Sequence, residues 1–141
     1  MFRISAHVLR TGLAVLACGV CSWGCSRGPD VVEVGGTLTR NGKPLPNMAV
    51  TFHPEKGRTS VAVTDANGHF DLVYTRDQKG ALRGKHKVHV HYAPQSTSYT
   101  SDNSGAPADL KDIEAKYGKL ESTKLEVQID GPKKDLNLAV D

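Results

Sequence analysis

The stretch VVEVGGTLTRNGKPLPNMAVTFHP, residues 31–54, decides the fold class of this chain. Apolar and polar side chains alternate along residues 31–40, and this period of two is typical of a half-buried β-strand. Asn41-Gly42 follows directly and favours a two-residue hairpin, because both residues tolerate a positive φ. A second alternating run at 48–54 predicts the next strand.

Similar alternation in the rest of the chain predicts five more strands. They are placed at residues 59–64, 69–74, 85–92, 125–129 and 136–140. Seven short strands separated mostly by turn signals predict an all-β, seven-stranded sandwich, with a barrel of similar strands as the alternative. The side chains that the pattern directs into the core are Val32, Val34, Leu38, Val50, Phe52, Val61, Val63, Phe70, Leu72, Tyr74, Val88, Val90, Tyr92, Leu125, Val127, Ile129, Leu136, Leu138 and Val140.

The connections between the strands carry turn residues. In Asp65-Ala66-Asn67-Gly68, the Asp65 carboxylate is expected to cap backbone N–H groups and Gly68 to adopt the left-handed conformation. Gly35-Gly36 lies inside a strand, which indicates a bulge or a close approach of another backbone segment. Residues 75–84 are predicted to form a polar loop.

Residues 94–122 interrupt the strand pattern with a long polar stretch. A segment of this length without strands is usually functional or disordered. Leu110, Ile113 and Tyr117 are spaced for one face of a short helix. We expect mobility at 95–106 and partial docking of 108–118 on the core.

The first 24 residues have the pattern of an export signal. Two arginines precede an uncharged segment that is shorter than the roughly 20 residues needed to span a bilayer. Cys25 follows a small residue and begins a polar tether at 25–30, and this arrangement resembles a bacterial lipoprotein acylation site. Cys18 is the alternative because Val15-Leu16-Ala17 fits the usual lipobox better. An ordinary secretory signal or an uncleaved anchor stays open.

The body of the chain resembles the carboxypeptidase regulatory-like domains. Gly36, Gly42, Pro44, Leu45, Val50 and Phe52 occupy positions of that family's opening pattern, V-x-G-x-V-x-x-x-G-x-P-L-x-x-A-x-V-x-F. Thr64, Asp65, Gly68 and Phe70 match its T-D-x-x-G-x-F turn. Three further segments resemble exported planctomycete-type lipoproteins that carry this domain: Gly80 to Val90, Ala115-Lys116-Tyr117 and the C-terminal Leu136-Asn137-Leu138.

This resemblance covers residues 31–141 and implies a transthyretin-like or immunoglobulin-like β-sandwich. It implies no catalytic residues, because in carboxypeptidases the module accompanies a separate peptidase domain. Hydroxyisourate hydrolases share the transthyretin fold, but their C-terminal Tyr-Arg-Gly-Ser is replaced here by Leu138-Ala139-Val140-Asp141. We therefore predict that the protein is not an enzyme and needs no cofactor.

The histidines are the strongest candidates for chemistry. His89 and His91 lie two residues apart and share a strand face, so they are weak candidates for metal ligands. His53 and His69 could add ligands if their strands are adjacent. The opposite face of the strand is apolar, so the prediction is solvent-facing histidines and no metal. Asp65, Asn67 and Asp71 resemble a calcium loop, but turn capping explains them better because EF-hand ligands are missing.

Charge and location complete the sequence-based hypothesis. The net charge of +3 falls to about +1 once Arg3 and Arg10 are removed with the signal. A charge this small gives no reason to expect nucleic acid as a partner. The expected location is the cell envelope, on its periplasmic or extracellular face, with the membrane as partner through a lipid anchor. The alternative is a secreted, unanchored carrier of a ligand or metal; a protein or glycan partner is not identified.

Overall fold

The computed structural model describes residues 28–93 and 106–141 of the chain. The predicted signal, Cys18 and Cys25 lie outside the described residues, as does almost all of the segment predicted to be mobile. In the described part of the chain, no helix has the length and apolar character needed to cross a bilayer.

Strands dominate the described residues, and the prediction of an all-β fold is confirmed. One short helix, α1, follows the long polar segment. The elements are β1 (Val31–Val32), β2 (Val34–Arg40), β3 (Lys43–Pro44), β4 (Met48–Pro54), β5 (Ser60–Val63), β6 (His69–Asp71), β7 (Val73–Thr75), β8 (Gln78–Lys79), β9 (Ala81–Leu82), β10 (Gly84–Tyr92), α1 (Lys111–Tyr117), β11 (Glu126–Ile129) and β12 (Lys133–Val140).

The strands form two main sheets and a short ribbon. The six-stranded sheet has the order β11-β10-β4-β5-β7-β8, and all its pairs are antiparallel. The four-stranded sheet is built around β2, which pairs with β3 and β6 in antiparallel and with β12 in parallel orientation. Strands β1 and β9 make the ribbon. Phe52 of the larger sheet and Phe70 of the smaller one meet in the core, with ring centroids 6.4 Å apart.

The Asn41-Gly42 dipeptide makes the turn that its sequence predicts. Both residues have a positive φ, 51° and 77°, and Arg40 pairs with Lys43 across the two-residue loop. The second arm of this hairpin, β3, is only two residues long. The chain then crosses to the other sheet, where β4 pairs with β5 and β10.

Two predicted strands and one predicted loop differ in detail from the structure. The first predicted strand is divided at Glu33, and the fourth at Leu72. The predicted polar loop at 75–84 is wrong in part, because it contains the short strands β8 and β9. Gly80 makes this possible: its φ is 109°, and a Cβ there would lie 1.9 Å from the carbonyl oxygen of Val32. Only a glycine lets this segment run so close to the first strand.

The inward assignment of Val61 and Val63 is also wrong. These side chains are 41% and 38% exposed, whereas Ser60 and Ala62 on the same strand are buried. Ser60 lies across from Phe52, and Ala62 lies across from Val50. The phenyl ring and the valine fill the core at these positions, so only small side chains fit opposite them.

Helix α1 docks on the core as the sequence predicts. Leu110 and Ile113 are buried, and Tyr117 packs against the core cluster. The Glu114 carboxylate accepts a hydrogen bond from the backbone N–H of Tyr92, at 3.1 Å. This contact ties the helix to the end of β10.

Candidate functional site

Three imidazole rings, those of His53, His89 and His91, lie together on the outer face of the six-stranded sheet; we call them the histidine cluster. The cluster forms because β4 and β10 are neighbours, with His53 across from Lys87 and His89 across from Thr51. His53 Nε2 and His89 Nδ1 are 2.8 Å apart, which is hydrogen-bond distance. The rings of His89 and His91 are stacked, with centroids 5.6 Å apart.

The structure adds His53 to the two histidines that the sequence spacing indicated. His89 and His91 share a face, as their spacing predicts, yet the ring nitrogen that meets His89 belongs to His53 on the neighbouring strand. His69, the other conditional candidate, lies on β6 in the smaller sheet and does not join the cluster. The sequence could not select between them because it does not specify which strands pair.

The environment of the cluster disfavours protonation of two of its rings. Burial lowers the pKa of His53, and the neighbouring His86 lowers it further. Burial also lowers the pKa of His89, with additional repulsion from His53 and His91. Both groups start from an ordinary value of 6.5, so at neutral pH the hydrogen-bonded pair consists of two uncharged imidazoles.

The predicted turn at Asp65 is satisfied by backbone groups. Its Oδ1 accepts hydrogen bonds from the N–H groups of Asn67 and His69, at 2.8 and 2.9 Å. Gly68 has a φ of 70°, and its carbonyl accepts from Leu38 N–H at 2.8 Å. This carboxylate therefore has the capping contacts that the sequence predicts. Within residues 28–93 and 106–141, no three His, Cys, Asp or Glu side chains are grouped as a metal site.

The remaining turn and structural candidates lie in or beside the smaller sheet. Phe70 is almost completely buried in the core. Pro44 is exposed on β3 across from Thr39, and a Cβ on Gly68 would come within 3.1 Å of it. Gly36 lies against the backbone of Leu136, which explains the glycine inside this strand.

A fourth histidine, His86, is completely buried beneath the cluster, and it is not among the residues that the sequence pattern assigned to the core. His86 lies two residues before Val88 and four before Val90 on β10, so the alternation of the strand places its side chain on the same, buried face. Its Nε2 lies 2.7 Å from the carbonyl oxygen of Leu82, and its ring centroid lies 5.7 Å from that of Phe52. Among the described residues its Nδ1 has no hydrogen-bond partner. The ring is a core side chain with one polar contact.

A concave surface lies apart from the histidine cluster, at the edge of the smaller sheet. It has a volume of about 360 Å³ and is lined by charged residues of both signs, including Glu33, Asp71, Lys79 and Lys134. Lys134 Nζ lies 2.8 Å from a Glu33 carboxylate oxygen, and this hydrogen bond lowers the pKa of Glu33. The charges neutralise one another, so this cavity does not select a ligand of one sign.

Comparisons of this chain with protein-family models, with curated proteins and with solved structures return no match.

Proposed function

We propose that this chain is an exported, lipid-anchored protein of the cell envelope that presents one non-catalytic β-sandwich module. The observation that carries the proposal is the sequence of residues 1–25, an uncharged segment after two arginines that ends in a small residue and Cys25. The alternative acylation site is Cys18.

The position of the folded body supports this proposal. Gly28, Pro29 and Asp30 are exposed, and the first core side chain is that of Val32. Arg83 contacts the residue that precedes β1. Its backbone N–H donates to the carbonyl of Asp30 at 3.0 Å, and its guanidinium lies 3.0 Å from the Asp30 carboxylate. An anchor at Cys25 would hold the domain a few residues from the membrane surface.

We further propose that residues 31–141 form a carboxypeptidase regulatory-like domain of the transthyretin-like type. The all-β fold supports this, as do the residues Gly42, Asp65 and Gly68 at turns of the expected kind.

Metabolic labelling with a fatty acid tests the anchor. We expect label on the full chain expressed in a bacterium that processes lipoproteins, loss of label in Cys25→Ser, and full label in the matched control Cys21→Ser. Intact mass of the membrane-extracted protein then gives the cleavage site and the number of acyl chains.

Two other outcomes would change the proposal in different ways. Label that persists in Cys25→Ser but disappears in Cys18→Ser would move the acylation site to Cys18. Absence of label from the unmodified chain, together with recovery in the soluble extracellular or periplasmic fraction, would replace the anchored protein by a secreted carrier.

A further inference from the structure

We propose that Asn41 is a site of spontaneous covalent modification, at which the side-chain amide converts to aspartate and isoaspartate through a cyclic imide. The chain contains two Asn-Gly dipeptides, Asn41-Gly42 and Asn67-Gly68. Asn-Gly closes this ring readily, because glycine has no side chain to hinder its backbone nitrogen and adopts many conformations. The dipeptide sequence does not distinguish the two positions, whereas their turns do. The inference is independent of the lipid anchor.

The reaction needs no reagent other than water. The backbone nitrogen of Gly42 loses its proton to solvent and attacks Asn41 Cγ, so that a new C–N bond closes a five-membered imide. The Cγ–Nδ2 bond breaks, and the leaving nitrogen takes up a proton and departs as ammonia. Water then adds to either carbonyl of the ring. Opening on one side gives aspartate, and opening on the other gives isoaspartate, whose main chain runs through the former side-chain carboxyl group.

The turn at Asn67-Gly68 holds its attacking nitrogen in place. The Gly68 N–H donates to the carbonyl of Asp65 at 2.9 Å, and the Gly68 carbonyl accepts from Leu38 N–H at 2.8 Å. The Asp65 carboxylate also accepts from the N–H groups of Asn67 and His69. Gly68 is buried, and a Cβ on it would lie 2.6 Å from the Leu38 carbonyl oxygen. Ring closure at Asn67 therefore requires the turn to break these contacts.

The turn at Asn41-Gly42 leaves its attacking nitrogen accessible. Both residues are exposed, and a Cβ on Gly42 would meet no atom within 4 Å. In the described part of the chain, no hydrogen bond holds the Gly42 N–H. The pairing of Arg40 with Lys43 closes the turn, and the β3 arm beyond it is exposed and only two residues long. A short exposed hairpin end opens locally at little cost in free energy, so Asn41 reaches the conformations that close the ring.

Conversion changes both the charge and the backbone of this turn. Each product places a new carboxylate directly after Arg40. Aspartate keeps the main chain unchanged and tolerates the left-handed φ of 51° at this position. Isoaspartate lengthens the main chain by one methylene group, so Arg40 and Lys43 no longer fit the register of a two-residue loop. We therefore expect the isoaspartate form to lose the pairing at this end of the hairpin.

Peptide mapping of the full chain after incubation tests the site. The chain is incubated in H₂¹⁸O at mildly alkaline pH and digested with trypsin in ordinary water, so only conversions during the incubation carry ¹⁸O. Cleavage after Arg40 and Arg58 places the two dipeptides in different peptides. We expect Asn41 to convert about tenfold faster than Asn67, the factor that corresponds to breaking one or two hydrogen bonds before ring closure. Conversion should rise with pH, because the deprotonated nitrogen attacks.

Two controls separate the effect of the turns from that of the local sequence. In guanidinium chloride, which unfolds the chain, the two dipeptides should convert at similar rates. In the folded Asp65→Ala variant, conversion at Asn67 should rise several-fold, because the variant removes both carboxylate hydrogen bonds of that turn. Conversion at Asn41 should stay as it is in the unsubstituted chain.

Two results would overturn the proposal. One is conversion of Asn67 as fast as that of Asn41 in the folded chain. The other is an Asn41 that stays intact in the folded chain, since its turn would then protect the amide. Both results come from the unsubstituted chain, so they stand even if Asp65→Ala fails to fold.

Discussion

Gly36 shows how a single missing side chain lets two distant parts of the chain meet. A Cβ at this position would lie 1.9 Å from the carbonyl oxygen of Leu136, far inside van der Waals contact. The contact occurs where β12 runs parallel to β2, beside an irregularity in their register. The glycine is therefore a requirement of sheet pairing.

We expect Gly36→Ala to lower the free energy of unfolding by about 1–3 kcal/mol, because the backbone of β12 must move to accommodate the methyl group. Urea denaturation followed by circular dichroism measures the change. Gly28→Ala is the matched control, since a Cβ there meets no atom within 4 Å; its effect should stay within about 0.5 kcal/mol. Equal stability of Gly36→Ala and the unmodified chain would contradict the close approach.

For strand β5 the sequence predicts the alternation correctly but assigns the wrong residues to the core face. Its period of two is evident from the sequence, but a one-residue shift in phase exchanges the core face with the solvent face. The larger valines suggested the inner face, whereas the structure places Ser60 and Ala62 there because Phe52 and Val50 already fill the space. Packing across the sheet decided the phase.

Two substitutions on β5 distinguish the phases. Val63→Thr should change the free energy of unfolding by only about 0.5 kcal/mol, because this side chain is 38% exposed and threonine also favours strands. Ala62→Leu should destabilise the protein by about 1–3 kcal/mol, because it adds volume to a filled core. If thermal or urea denaturation shows the reverse order of these effects, Val63 and not Ala62 faces the core.

On the scale of the whole molecule, stability is linked to the protonation of the histidine cluster. His53 and His89 have pKa values below the ordinary 6.5 because they are partly buried and repel charges on neighbouring imidazoles. Below about pH 6.5 the unfolded chain takes up protons that the folded chain does not bind, so unfolding becomes more favourable. Lys85, Lys87, Glu55 and Glu126 also face this surface, and His86 lies beneath it.

The protein should therefore lose stability as the pH falls from 7.5 to 5.5. Urea denaturation at both values measures the loss, and the loss should be smaller in His89→Ala, which removes one of the two shifted groups. His69→Ala serves as the control and should keep the full pH dependence. An identical slope in His89→Ala and the unmodified chain would assign the dependence to other groups.

The sequence by itself determined the fold class, the Asn41-Gly42 hairpin, the capped turn at Asp65 and the docking of the helix around Ile113. These features follow from local causes: side-chain period, tolerance of positive φ and short-range hydrogen bonds. Tertiary structure alone decided the phase of β5, the parallel pairing of β12 with β2, and the meeting of His53 with His89. Each of those depends on which strands become neighbours and in what register. Strand neighbours are selected by packing of the whole core, and no local stretch of residues specifies that choice.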